Sequence, residues 1–121
     1  MLKMQHHIVA PIPENIAANA AALINQIRYD GLTKARREAL FELIMAMTES
    51  GIDFFFLEPL RRLNASPMLL GIARMGLNST LAGTRMVIHK VLKKLEDAHV
   101  EHLLVFIEEI LFAPETHPLP A

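Results

Sequence analysis

The length, composition and charge of the chain exclude several classes of protein. Its 121 residues suffice for one domain with a hydrophobic core, and 52% of them are hydrophobic. Twelve basic against thirteen acidic side chains give a formal net charge of −1, whereas a non-specific nucleic-acid binder normally carries a basic excess. We therefore expect no nucleic-acid partner. The absence of cysteine excludes disulfides and thiolate zinc sites and is compatible with the cytoplasm, the location that we expect.

The helical periodicity and the helix-end residues along the chain predict an all-α protein with a single domain. Residues 1–112 form the predicted domain, in which residues 1–13 are an extended lead-in. Residues 113–121 contain three prolines and predict a flexible tail. No alternating segment of useful length indicates a strand. We expect a compact bundle of about five mostly antiparallel helices with a long C-terminal helix, either continuous or broken near Asp97.

The first two helices of this bundle have clear boundaries in the sequence. Gly31 is expected to end the first helix, because glycine tolerates the left-handed conformation common at helix C-termini. Thr33 is the expected N-cap of the second helix, which Gly51 ends. The second helix is apolar around most of its circumference, so other helices must cover it on most sides. Apolar residues of the first helix follow the 3.6-residue period at Ile16, Ala20, Leu23 and Ile27.

Two further helix starts are indicated in the middle of the chain. Asp53 is the expected N-cap of one segment. Within it Pro59 favours a fresh start near Glu58, because proline costs about 3 kcal/mol inside a helix but is tolerated in a first turn. Ser66 as N-cap and Pro67 at the first helical position give a clear start for the next helix.

No stretch of the sequence qualifies as a membrane span. The most apolar one, residues 67–88, is interrupted by Arg74, Asn78 and Arg85, whereas a span needs roughly 18 consecutive apolar residues. We therefore expect a pair of buried core helices there, and no membrane partner. One aromatic cluster, Phe54–Phe56, has a second interpretation as a wedge that a peripheral membrane protein inserts into lipid, although consecutive aromatics at a helix start more often belong to a core.

The last helical segment contains two histidines that a helical projection places among apolar residues. At about 100° per residue, His99 and His102 fall between Leu95 and Phe106, and they stay on the face of Phe106 if a new helix begins at Asp97. We therefore expect both imidazoles to point inward. A buried polar group without a partner costs roughly 1–3 kcal/mol, so each ring would need one.

Three interpretations of this histidine pair remain open. The first is a divalent metal site formed by His99, His102 and Glu96, because bundle metal sites use a Glu-x-x-His pattern and histidines on one helix face. The pattern occurs once here, whereas those bundles carry it twice, and Glu38, Glu42 and Glu109 are the conceivable further ligands. The second is a structural role, in which each ring donates to a carbonyl, a carboxylate or a buried water. The third is a contact that weakens as the pH falls from about 7 toward 5. Apart from this metal we expect no cofactor.

Other motifs give little support for catalysis or base recognition. The joint at residues 63–67 resembles the turn of a helix-turn-helix, but the helix after it is too apolar to present polar groups to bases. The sequence contains neither a nucleophile elbow nor a glycine-rich phosphate loop. We therefore expect a protein without catalytic activity.

Excess apolar surface predicts self-association. Residues 33–50 and 103–112 carry more apolar side chains than one small bundle easily encloses, and a two-fold homodimer is the commonest closed oligomer. The sequence thus predicts a non-catalytic, homo-oligomeric helical bundle that acts as an interaction, adaptor or regulatory module. The alternatives are a metal- or small-ligand-binding bundle centred on His99 and His102, and a peripheral membrane protein that uses Phe54–Phe56.

Overall fold

The regular structure of the protein is entirely helical over residues 6–111, the part of the chain that the computed structural model describes. The elements are α1 (Glu14–Asp30), α2 (Lys34–Ile52), a π-helical turn (Asp53–Leu57), α3 (Glu58–Arg62), α4 (Pro67–Lys94) and α5 (Asp97–Ile110). The all-α prediction is confirmed. Because α2, the π-helical turn and α3 follow one another without a break, the described chain has about four helices rather than the predicted five.

Contacts divide the described residues into two units. Residues 10–94 form one unit, which contains α1 to α4, and residues 6–9 and 95–111 form the other, which contains α5. Residues 6–13 have no regular secondary structure. The domain limits 1–112 stay a prediction, and the predicted tail, residues 113–121, lies outside the described residues.

The first helix ends where the sequence predicts. Gly31 has a φ of 93°, a conformation that favours glycine, and its N–H donates to the carbonyl of Ile27 at 2.9 Å. The apolar stripe faces the interior, except that Ile16 at its start is only half-buried. The buried residues of α1 are Ala20, Leu23, Ile24 and Ile27.

The second helix is the centre of its unit. It begins at the predicted N-cap, since the Thr33 hydroxyl accepts from the N–H of Arg36 at 3.1 Å. The Arg36 guanidinium donates to the carbonyls of Asp30 and Gly31, which ties the loop to the helix. The helix contacts both α1 and α4 and buries Leu40 completely. Contact on two sides explains why α2 is apolar around most of its circumference.

The second helix does not end at Gly51, and Asp53 is not an N-cap. Asp53 has helical φ and ψ of −56° and −47°, and the chain continues through a π-helical turn in which the N–H of Glu58 donates to the carbonyl of Asp53. The predicted fresh start near Glu58 is found, with Pro59 in the first turn of α3. The wider π-helical turn accommodates proline, which has no N–H and would clash with a carbonyl in a regular helix.

The fourth helix is one continuous rod with a single buried residue. Ser66 caps it as predicted, because its hydroxyl accepts from the N–H of Leu69 at 3.2 Å. The hydroxyls of Ser79 and Thr80 donate to the carbonyls four residues before them, so these polar groups are satisfied without a break. The prediction of a buried helix pair over residues 67–88 is therefore wrong: only Leu92 of α4 is buried.

The last helix is separate from α4. Leu95 and Glu96 interrupt the helical conformation, and α5 starts at Asp97, which confirms the broken form of the predicted C-terminal helix. Glu96 is extended, with φ −74° and ψ 158°. Within residues 6–111, none of the helices combines the length and apolarity that a membrane crossing demands.

Candidate interaction surface

The two histidines of α5 point to solvent, so the predicted inward orientation is wrong. His99, His102 and Glu96 are all exposed, and the buried face of α5 consists of Val100, Leu104 and Ile107. The sequence contains two apolar stripes on this helix, and the stripe without polar residues is the one that is buried. This choice follows from the desolvation cost of two imidazoles, which burial of the aliphatic stripe avoids.

The described residues contain no ready-made metal centre. Among residues 6–111, no three histidine, aspartate or glutamate side chains come close enough together to hold an ion. Glu38 and Glu42, the conceivable ligands on α2, contact α4 instead. A metal on His99 and His102 stays a prediction without a third ligand from the described chain.

A row of polar contacts fixes the antiparallel register of α2 and α4. Glu42 accepts from Arg85, and the Glu38 carboxylate lies 2.8 Å from Nε2 of His89. The guanidinium of Arg85 also lies over the ring of Phe41, 4.8 Å from its centroid. As residue numbers rise along α2 they fall along α4, so the helices are antiparallel. The neighbouring pair continues this order, since Arg37 donates to the carbonyl of Leu92 at 2.6 Å.

A cleft of about 400 Å³ lies between α2, the π-helical turn and α4. Its floor is apolar, with Met45 and Leu57 buried, and its rim carries Glu49 and Arg74. This lining is mixed in charge and, among the described residues, brings no nucleophile next to a general base. The cleft therefore gives no support for a catalytic role.

Ion pairs hold the π-helical turn against α3. The Arg61 guanidinium donates to both carboxylate oxygens of Asp53, at 2.8 and 3.0 Å, and to Glu58 at 3.2 Å. The hydrogen bond from Arg61 lowers the pKa of Asp53, and those from Arg62 and Arg61 lower the pKa of Glu58. The same carboxylates raise the pKa of Arg61. The negative charges of Asp53 and Glu58 are thus balanced by the guanidinium groups of Arg61 and Arg62.

The side of α4 that faces away from α2 is apolar and exposed. We call it the α4 outer face, and its residues recur every three or four positions, as one side of a helix requires. Met75 on this face is 71% exposed, and at Gly76 and Gly83 an added Cβ would meet nothing within 4 Å. The residues of the face are Met68, Ile72, Met75, Ser79, Gly83 and Met86, with Gly76 at its edge and Lys90 continuing it one turn after Met86.

A second exposed face lies on α5. We call it the α5 outer face, and it consists of His99, His102, Val105, Phe106 and Glu109, all exposed. Phe106 is 50% exposed, a large fraction for an aromatic ring. Both outer faces thus expose apolar side chains to water.

The charges of the sequence after residue 58 are segregated by sign, a feature that the overall balance of −1 conceals. Between residues 59 and 95 the chain has seven basic and no acidic side chains, and from residue 96 to the end it has six acidic and no basic ones. Counting charges segment by segment would have found this pattern. The basic residues are Arg61, Arg62, Arg74, Arg85, Lys90, Lys93 and Lys94; the acidic ones are Glu96, Asp97, Glu101, Glu108, Glu109 and Glu115.

The aromatic cluster lies in the π-helical turn. Phe55 and Phe56 are exposed, whereas Phe54 is half-buried and packs edge to face on Phe55 at a centroid distance of 5.4 Å. The prediction that these rings belong mainly to the core is therefore wrong for two of the three.

Comparison with known proteins gives no relative. No protein family matches the chain, and neither a curated protein nor a solved structure resembles it significantly.

Proposed function

We propose that the protein is a non-catalytic helical module of the cytoplasm that acts by binding other proteins, beginning with a second copy of itself. The observation that carries this proposal is the exposure of α4, which buries one of its 28 residues while seven large apolar side chains lie open. Exposed apolar surface of this extent on a small protein is typical of interaction sites. The open side chains are Met68, Leu69, Ile72, Met75, Met86, Val87 and Val91.

Sedimentation equilibrium tests the proposal. We expect a mass that rises from 13.6 kDa toward twice that value as the protein concentration is raised from about 5 to about 200 µM. A replacement of Met75 by serine should lower the fraction of dimer, and the same replacement of Tyr29, an exposed aromatic on α1, is the matched control. A constant mass of one chain over the whole range would refute the proposal.

The exposed rings of Phe55 and Phe56 favour a second candidate, a protein that docks on the surface of a membrane. In this case the protein should co-sediment with lipid vesicles, and the double replacement Phe55→Ser and Phe56→Ser should abolish binding. If wild type stays in the supernatant with both neutral and anionic vesicles, the second candidate is wrong.

A further inference from the structure

We propose that the α4 outer face of one copy packs against the same face of a second copy, with the two helices antiparallel and a two-fold axis at Ser79. This pairing rests on the proposed self-association and adds which surfaces meet and in which orientation. It involves helix α4 alone, which belongs to the unit of residues 10–94. Three properties of the face support it: the order of its large and small residues, its charges and its area.

Ser79 divides the α4 outer face into two halves with the same spacing. The residues of the face lie four, seven and eleven positions before Ser79, and others lie at the same intervals after it. An antiparallel pair of helices with a two-fold axis at Ser79 therefore brings residues at equal distances from the axis side by side. The residues that meet are Met75 with Gly83, Ile72 with Met86, Met68 with Lys90, and Ser79 with its own copy.

In this register a large side chain meets a small residue on either side of the axis. The exposed Met75 of one copy lies beside Gly83 of the other, where an added Cβ would meet nothing within 4 Å. The methionine thus fills the space that the glycine leaves, and the contact is made twice. The Ser79 hydroxyl already donates to the carbonyl of Met75 in its own helix at 3.3 Å, so its burial at the axis leaves no donor unpaired.

The charges of the face determine the orientation of the two helices. Arg74 and Arg85 line the cleft on the α2 side, whereas the basic residues on the outer side all follow Met86. In a parallel pair these lysines of both copies would lie side by side and repel one another. In the antiparallel pair the two copies of Lys90 lie about 33 Å apart along the axis, several times the screening length of about 8–10 Å. The basic residues on the outer side are Lys90, Lys93 and Lys94.

The exposed apolar area is large enough for a specific dimer. A large aliphatic side chain loses on the order of 100 Å² of surface when it is buried. Burial of six such side chains removes on the order of 600 Å² per copy from water, and on the order of 1,200 Å² in the pair. This total reaches the lower end of the range of specific interfaces, so we expect a reversible dimer. The six side chains are Met68, Leu69, Ile72, Met75, Met86 and Val87.

The middle of the face suits another helix better than a bilayer. From Gly76 to Gly83 the outer face offers no large apolar side chain that would insert into lipid. The same small residues allow the backbone of a second helix to come close. A second copy therefore uses the centre of the face as well as its ends, whereas a bilayer would gain from the ends alone.

Single cysteines test the register, because the chain contains none of its own. With helix axes about 8–10 Å apart and Cα atoms about 2.3 Å from each axis, facing Cα atoms are about 4–6 Å apart, which a disulfide spans. We expect Ser79→Cys to form a covalent dimer in a glutathione redox buffer at about 200 µM protein. Ile72→Cys and Met86→Cys should each stay single chains, because each position lies about 21 Å from its own copy. An equimolar mixture of these two variants should form the covalent dimer.

Tyr29→Cys, at an exposed position of α1, is the control for random collision. Ser79→Cys should give about tenfold more covalent dimer than this control, because pairing holds its thiols at a high effective concentration. Circular dichroism establishes that each variant is folded, and sedimentation velocity measures the dimer of the wild type independently.

Each outcome of these measurements decides for or against the pairing. Covalent dimers of Ser79→Cys and of the mixture, but of neither of its components, support it. A wild type that stays monomeric overturns both the proposed function and the pairing. A wild-type dimer overturns the pairing alone if Ser79→Cys gives no more product than the control, if the mixture gives none, or if Ile72→Cys dimerises by itself. A monomeric protein whose Ser79→Cys thiol is protected from alkylation by phospholipid vesicles would assign the face to a bilayer and overturn both.

Discussion

Replacement of two glycines of α4 by alanine should have opposite effects on folding and on self-association. Gly76 and Gly83 lie inside the helix, both are exposed, and a Cβ at either position would meet nothing within 4 Å. Glycine is about 0.8–1.0 kcal/mol less favourable than alanine inside a helix. The two positions lie about 10 Å apart along the axis, so their effects should add. We expect the double variant to be more stable than wild type by about 1.5–2 kcal/mol.

This gain is measurable by thermal denaturation. With an unfolding entropy of about 2.1 cal/mol/K per residue, it corresponds to a rise in Tm of about 6–8 °C for a chain of this length. Thermal melts should be recorded near 2 µM, where a weak dimer is dissociated. At about 200 µM the same variant should form less dimer than wild type if copies associate through this side of α4, because the added methyl groups keep a second copy from approaching the helix backbone at these two positions.

Gly31 provides a control in which the same replacement of glycine by alanine should lower the stability instead of raising it. Its φ of 93° lies where an alanine is strained, so Gly31→Ala should lose about 1–3 kcal/mol. A double Gly76→Ala and Gly83→Ala variant that melts at or below the wild-type temperature would refute the reasoning. It would mean that the outer side of α4 is occupied within a single chain.

Three further predictions concern the core, the π-helical turn and the histidines. Leu40→Ala, in the fully buried centre of α2, should lower the free energy of unfolding by about 3–5 kcal/mol in urea titrations, and a loss below about 1 kcal/mol would place α2 outside the core. The lowered pKa values of Asp53 and Glu58 mean that their ion pairs contribute stability above the ordinary carboxyl pKa near 4 and lose it as the pH falls through the lowered values. The stability gap between wild type and Arg61→Gln should therefore shrink between about pH 5 and about pH 2, and a constant gap would contradict the role of these pairs. Elemental analysis of purified protein should find no stoichiometric zinc, iron or manganese, whereas a full equivalent that disappears in His102→Ala would establish the metal site.

Local signals in the sequence predicted most helix boundaries correctly. Gly31, Thr33 and Ser66 each act through a bond or a conformation within one helical turn, so their effect needs no knowledge of the rest of the fold. Gly51 and Asp53 carry equally good signals but stand inside a continuous helix. At these two residues the local signals are overridden by their surroundings. The π-helical turn accommodates Pro59 without ending the helix, and the Asp53 carboxylate binds Arg61 instead of capping an N–H group.

The candidate surface could be predicted only in part. Helical periodicity groups His99 and His102 with Phe106 on one face of α5, but periodicity alone does not say which face is buried, and this face is the exposed one. The high apolar content of α4 suggests that the helix is buried, but only Leu92 is. Burial depends on how many neighbouring helices cover a helix, and the apolar content does not give that number. The segregation of charge was present in the sequence and is hidden when only the net charge is considered.

The rate at which a single thiol on the α4 outer face reacts is the most direct test of self-association through that surface. The chain contains no cysteine, so Met75→Cys introduces one reactive group at a position that is 71% exposed. We expect its alkylation to slow as the protein concentration is raised from about 5 to about 200 µM, while Tyr29→Cys on α1 reacts at a constant rate. Equal and constant rates for both thiols would show that no second copy covers α4, and would contradict the account.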